Sequence, residues 1–132
     1  MPTDLAAAAD ELAPLAPAWQ AVHAQSGSAP VFLTWGWQHA WWAHFGRGRP
    51  LRAVALADGG QPLALAPFFD DGGAWRLIGA PQDAIDLADY LDVLVPADRE
   101  EAGWRALAAW LAGRDDWSAV VLDNVPAGSP TL

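Results

Sequence analysis

The sequence predicts an α+β domain, a mixed and mostly antiparallel sheet with packed helices, in the order two helices, a β-hairpin plus two strands, a helix and a strand. Three observations carry that prediction. Two segments place apolar residues at helical spacing, and one of them is crowded with tryptophan. Several short apolar runs are separated by paired glycines, as strands joined by tight turns require. Hydrophobic residues make up 53% of 132 positions, enough for one core in a single domain spanning 1–132 and too many for a disordered chain.

The elements follow in order. From Asp4 to Ala24 the spacing is helical but interrupted. Pro14 and Pro17 predict a short helix, a kink, and a second helix starting near Pro17. Trp19, Val22 and His23 fall on one face of that second piece, and "SGSAP" (Ser26–Pro30) reads as a loop. Thr34 is a suitable N-cap for the next stretch, "TWGWQHAWWAHFG", which Gly46 and Gly48 stop. At 100° per residue Trp35, Trp37, Trp41, Trp42 and Phe45 form one arc with Gln38 inside it, leaving Ala40, Ala43, His39 and His44 on the other side.

"LRAVALA" (Leu51–Ala57), the turn "DGGQ" and "PLALAPFF" (Pro62–Phe69) predict the hairpin. "DDGG" is a second tight turn leading into "WRLIG" (Trp75–Gly79). "DYLDVLVP" (Asp89–Pro96) reads as a strand with Leu91, Val93 and Val95 on one side and Tyr90, Asp92 and Leu94 on the other. In "DREEAGWRALAAWLAG" (Asp98–Gly113), Asp98 can cap a helix whose stripe is Trp104, Leu107, Ala108 and Leu111 and which Gly113 ends. "WSAVVLDNV" (Trp117–Val125) predicts a last buried strand. The final "SPTL" carries the Ser-Pro signature of a helix about to begin, so the architecture is expected to be incomplete at its C-terminus.

Charge and composition narrow the function. The net charge of −9 opposes a nucleic-acid or anionic-membrane partner. No apolar run is long enough to span a bilayer, and the acidic start lacks a basic signal region, so the protein is expected in the cytoplasm. The absence of cysteine removes disulfides, thiol nucleophiles and Cys-ligated zinc; the absence of lysine removes Schiff-base and P-loop chemistry. No nucleophile elbow, P-loop or dinucleotide fingerprint is present.

Taken together, the Trp19-led helix, "VFLTWGWQHAWWAHFG", the hairpin closing in "LALAPFF", "WRLIGAP", "DLADYLDVLV", the following helix and "VVLDNVPAGSP" carry a resemblance. Their order is similar to the first portion of the GNAT acetyltransferase fold, and more specifically resembles the N-terminal region of the FemAB-like, CelD-type (cellulose-biosynthesis) acetyltransferases. The resemblance covers nearly the whole chain from Trp19 onward. It implies a GNAT-like sheet and acyl transfer from acetyl-CoA or another acyl-CoA co-substrate to an amine or hydroxyl. The acceptor would be a small molecule or glycan, in a setting linked to polysaccharide biosynthesis. It also implies a second GNAT-like half carrying the better donor site, so this chain pairs with a companion C-terminal domain or with a second copy. The rival expectation is a non-catalytic module for binding or assembly.

In GNAT proteins the CoA pyrophosphate sits on a loop of the form Q/R-x-x-G-x-G/A ahead of a helix. The corresponding segment here is "PADREEAGWRAL", where Arg99 matches the first position and Gly103 is the nearest glycine. Ala102 stands where the first glycine belongs, and Glu100 and Glu101 each oppose an anionic ligand by about 1 kcal/mol at an effective dielectric near ~20, so the loop is degenerate. Asp83, Asp86, Asp89 and Asp92 recur every third residue without the order of a calcium loop. They read as a solvated loop entering a strand, or as a substrate site in which Asp89, Tyr90 and Asp92 orient an amine or hydroxyl, or as oxygen ligands. No metal site is expected, since His39 and His44 are five apart and point away from each other on a helix. The tryptophan arc is expected to be a core wedge before it is a sugar platform, because each indole buries on the order of 200 Å².

Overall fold

The computed structural model describes residues 4–6, 12–26, 30–46, 48–82, 85–88, 90–129 and 131. The fold is mixed α+β, and the described residues form three helices and two three-stranded sheets, one antiparallel and one mixed. The elements are β1 (Asp4–Ala6), α1 (Ala16–Gln25), α2 (Trp35–Phe45), β2 (Val54–Asp58), β3 (Gln61–Ala66), β4 (Phe68–Asp71), β5 (Ala74–Leu77), α3 (Glu100–Ala112) and β6 (Ala119–Val121). Short 3-10 turns at Ala13–Leu15 and Val31–Leu33 lead into α1 and α2.

The central hairpin forms as the glycines predict. Asp58 pairs with Gln61 across a two-residue turn, and Gly59 and Gly60 take φ of 56° and 81°, which side chains resist at both positions. Leu56 faces Ala64 and Ala57 faces Pro62, so Leu63 is an unopposed bulge residue. The first sheet runs β1-β2-β3 and the second β4-β5-β6, with β5 and β6 parallel. Residues 50–52 join the two sheets by running beside β4. Arg52 N–H donates to Phe68 O and Asp70 N–H to Pro50 O, both at 2.9 Å.

Alternation along the strands divides the interior into two layers. Ala55, Leu65 and Phe69 face Trp19 and Val22 of α1 and Trp41 of α2. Val54, Leu56, Phe68, Trp75 and Leu77 face Ala106 and Leu107 of α3. β2 and β3 are therefore covered on both faces, and their near-continuous apolar sequence follows from that, whereas β5 alternates buried and half-exposed positions.

Several sequence expectations are corrected. Asp4–Ala6 is not helical but a strand pairing antiparallel with β2, Leu5 opposite Leu56. An alanine run prefers helix by only fractions of a kcal/mol per residue, and an open strand edge outweighs that. The expected short helix also covers residues 7–11, which lie outside the described residues. The run Pro62–Phe69 is two strands, because Pro67 has no N–H to continue a ladder and marks the switch between sheets. The segment expected as a strand at Asp89–Pro96 forms one bridge, in which Leu65 and Leu94 exchange hydrogen bonds of 2.8 and 2.9 Å. Its facing survives: Leu91, Val93 and Val95 enter the α3 layer while Leu94 enters the other.

Asp98 does not cap α3. Arg99 occupies the cap position, and no side chain bonds the first turn there. The last strand is three residues long and half-exposed rather than buried, because its outer edge has no covering layer. Thr34, by contrast, caps α2 as expected, its Oγ1 accepting from Trp37 N–H at 3.4 Å. The tryptophan arc is also a core wedge: Trp41 is buried, and Trp35, Trp37, Trp42 and Phe45 pack on the same layer. Trp41 and Trp42 both contact Phe69 of β4, with ring centroids 5.7 and 5.8 Å apart.

Candidate functional site

Beside that wedge lies a groove of about 470 Å³. Trp37, Ala40, Trp41, His44 and Phe45 of α2 form one side; Ile85 and Leu87 form the other. The groove exists because α2 has more apolar arc than the sheet beneath it covers. Ile85 and Leu87 stay 46% and 55% exposed, unusual for large apolar side chains on neighbouring positions.

The wall carrying Ile85 and Leu87 is braced at both ends. Gln82 and Ile85 exchange backbone hydrogen bonds of 2.8 Å, and the Arg49 guanidinium donates to the Gln82 carboxamide oxygen. At the other end Asn124 donates through Nδ2 to Asp86 Oδ1 and to Ala88 O, and its own carbonyl accepts from Leu91 N–H. Asn124 sits in the left-handed region at φ 58°, a conformation asparagine tolerates better than most residues. Its neighbour Asp123 is fixed by Arg76 at 3.0 Å. That hydrogen bond, against the opposing cost of burial, holds the Arg76 guanidinium above its ordinary pKa.

The sequence-nominated residues distribute unevenly. Asp89 lies outside the described residues. Tyr90 is 50% exposed, while Asp92 is 9% exposed. Both Asp92 oxygens are engaged: Oδ1 accepts from Val93 N–H and the Thr131 hydroxyl, and Oδ2 accepts from the Ser129 hydroxyl. Asp92 therefore acts on the C-terminal segment, and the structure does not bring its carboxylate and the exposed Tyr90 phenol together as a pair.

Arg99 borders a shallow dish at the start of α3 with Asp98, Glu100, Glu101, Ala102 and Arg105. Arg105 is paired to Glu101 at 2.6 Å. Gly103 does not line that dish. It is buried where α3 crosses the sheet, and a Cβ there would collide with Leu63 O and Val95 Cγ1. Its smallness serves helix-to-sheet approach.

The histidines stay apart. His39 stacks on Trp35, with centroids 4.5 Å apart, and His44 rims the groove beside Phe45. Among the described residues no group of three or more His, Asp or Glu side chains could hold a metal ion, and no helix is long and apolar enough to cross a membrane. Sequence reasoning missed Ile85, Leu87 and Asn124. The Asp-Asn pair at 123–124 is a turn signal that could have located the brace.

No family model, curated protein or solved structure matches the chain.

Proposed function

We propose that this chain is a GNAT-like module of the FemAB-like, CelD-type acyltransferase architecture, supplying framework and a ligand groove while the acyl-CoA site belongs to a companion unit. The observation that supports this reading is the order of elements around the two sheets. Two helices precede a hairpin, and α3 then crosses back so that β6 lies parallel to β5. The reaction of the assembled architecture would be transfer of an acyl group from a CoA thioester to an amine or hydroxyl.

The start of α3 supports leaving the thioester elsewhere. A helix N-terminus attracts a pyrophosphate through free N–H groups and a positive dipole end. Here Glu100 and Glu101 occupy the first turn, and Gly103 is committed to contact with Leu63 and Val95. A phosphate arriving there meets like charge and no glycine-lined cradle.

Calorimetric titration with acetyl-CoA tests the assignment. We expect no saturable heat for this chain alone. Stoichiometric binding in the micromolar range, lost on Arg99→Ala, would move the donor site into this module and overturn the division of labour. The second reading, a module for assembly without catalysis, is favoured by the exposure of Ile85 and Leu87. Concentration-dependent light scattering that Leu87→Asp abolishes would select it.

A further inference from the structure

We propose that the open edge of β6 docks a second copy of this chain, the two strands pairing antiparallel about a two-fold axis through Val121. This interface is separate from the acyl-transfer reading and from the surface of Ile85 and Leu87.

The edge follows from the alternation of backbone hydrogen bonds. β5 lies between β4 and β6. Asp71 faces Ala74 across the glycine turn, and Ile78 N–H donates to Pro67 O at 2.8 Å, so Ala74, Arg76 and Ile78 direct their backbone groups at β4. Trp75 and Leu77 therefore direct theirs at β6. The register partner of Trp75 is Val120, and the slanted bonds of a parallel pair run to the residues on either side of that partner. Ala119 and Val121 are thus engaged with β5, while Val120 and Leu122 turn their N–H and C=O groups outward. Among the described residues those outward groups have no hydrogen-bond partner.

The edge is also unguarded. Exposed edges are ordinarily blunted by a lysine, a proline or another charge within the strand. Ala119, Val120, Val121 and Leu122 include none of these. Ala119 and Val121 are exposed on one face, Val121 at 41%. Just beyond, Asn124 leaves the extended conformation at φ 58°. So short an edge accommodates one closed pair rather than a growing ladder.

What fits this edge best is the edge itself. An axis through Val121 sets Val120 of each copy opposite Leu122 of the other, so every outward N–H and C=O meets its complement. Val121 then meets its counterpart on the exposed face, and two apolar side chains leave water together. The neighbouring registers are poorer. An axis through Val120 sets Leu122 opposite Ser118, whose N–H is already given to Gly73 O at 2.8 Å. An axis through Ala119 sets Asp123 opposite Asp115, a like-charge pair in a chain of net charge −9. With the axis at Val121, Asp123 lies opposite Ala119 and Asp116 opposite Pro126, and no acid along the strand faces an acid.

The chain has no cysteine, so one introduced thiol reports the register. Residues opposed on the axis in a non-hydrogen-bonded pair have Cα atoms about 4.5 Å apart, within disulfide reach. Ala119 lies on the same face, but in this register its counterpart is about 13 Å further along the strands. Under mild oxidation we expect Val121→Cys to form a disulfide dimer about tenfold faster than Ala119→Cys. Sedimentation of the unmodified chain should give a mass that rises with concentration towards twice the monomer. Sodium chloride should strengthen the dimer, because it screens the repulsion between two acidic copies. Val121→Asp places two carboxylates on the axis and should leave a monomer. Ala21→Asp adds the same charge at an exposed position of α1 and should leave the dimer intact.

Equal oxidation rates for the two cysteine variants would overturn the register and with it the proposal, whether or not Val121→Asp folds. A monomer at every concentration and salt would overturn the interface itself. A dimer that Leu87→Asp dissolves and Val121→Asp does not would assign association to the surface of Ile85 and Leu87 instead. A dimer weakened by salt would point to an ion-paired interface elsewhere. No arm of the experiment contains a thioester, so its failure leaves the acyl-transfer reading untouched.

Discussion

Gly103 sets how closely α3 approaches the sheet. Its Cα faces the Leu63 carbonyl, and Leu63 is the bulged residue of β3, so the carbonyl stands where a regular strand would not present it. An added methyl group must push the helix outward or rotate the strand, and Val95 closes the remaining space. Gly103→Ala gains helix propensity of about 1 kcal/mol, yet overpacking a dense interior costs about 1–3 kcal/mol and here meets backbone, which yields least. With the cost at its upper end because backbone must move, a net destabilisation of about 2 kcal/mol is expected from urea unfolding. An unchanged or raised midpoint would mean that α3 can lift away freely. Asp92 belongs to the same scale: a carboxylate with three donors holds Ser129 and Thr131 to the body, a use that its spacing in the acidic run did not disclose.

At the scale of elements, α2 is the best-specified piece. Thr34 Oγ1 accepts from Trp37 N–H and donates to Val31 O at 2.7 Å, so one hydroxyl closes the preceding 3-10 turn and starts the helix. Thr34→Ala should cost about 1 kcal/mol, the ordinary penalty for losing such a cap, and Thr34→Ser should restore most of it. Thermal melts of the pair check this, and equal stability of the Ala and Ser variants would remove the cap from the argument. This helix was legible because cap, spacing and glycine stop are all local. The hairpin was legible for the same reason. The runs at 89–96 and 117–125 were not, because an apolar segment becomes a strand only where a neighbouring edge is free to pair. For Leu94 the neighbour is Leu65, nearly thirty positions away. β1 failed as an expectation through the same non-local term, its partner being Ala55–Ala57. The groove was hidden more deeply still: the arc of α2 was visible, but its opposing wall depends on Asn124, which the sequence places far from both.

For the whole molecule, excess charge competes with ion pairing, and salt separates the two. Sixteen acids face seven arginines, for a net charge of −9. The pairs Arg76–Asp123, Arg76–Asp71, Arg114–Asp116 and Arg105–Glu101 are at most part-buried, and such pairs are worth about 0–1 kcal/mol each. Self-repulsion acts over longer distances, and at an ionic strength of about 0.1 M the screening length shrinks to about 10 Å. At neutral pH, raising sodium chloride from about 10 to about 150 mM should therefore raise the melting temperature, because repulsion lost exceeds attraction lost. Near pH 4.4, the isoelectric point that the amino-acid composition sets, the net repulsion falls away. The Asp116 carboxyl is held below the usual carboxylate range, chiefly by its hydrogen bond from Arg114. A group lowered in this way contributes stability above its unfolded value and loses it only as pH falls through the folded one, so at pH 4.4 the Arg114–Asp116 attraction persists. Salt then has only attraction left to screen, and the same series should lower the melting temperature slightly. A rise of equal size at both pH values would show that salt acts through hydrophobic burial, and would remove net charge as the term that limits this fold.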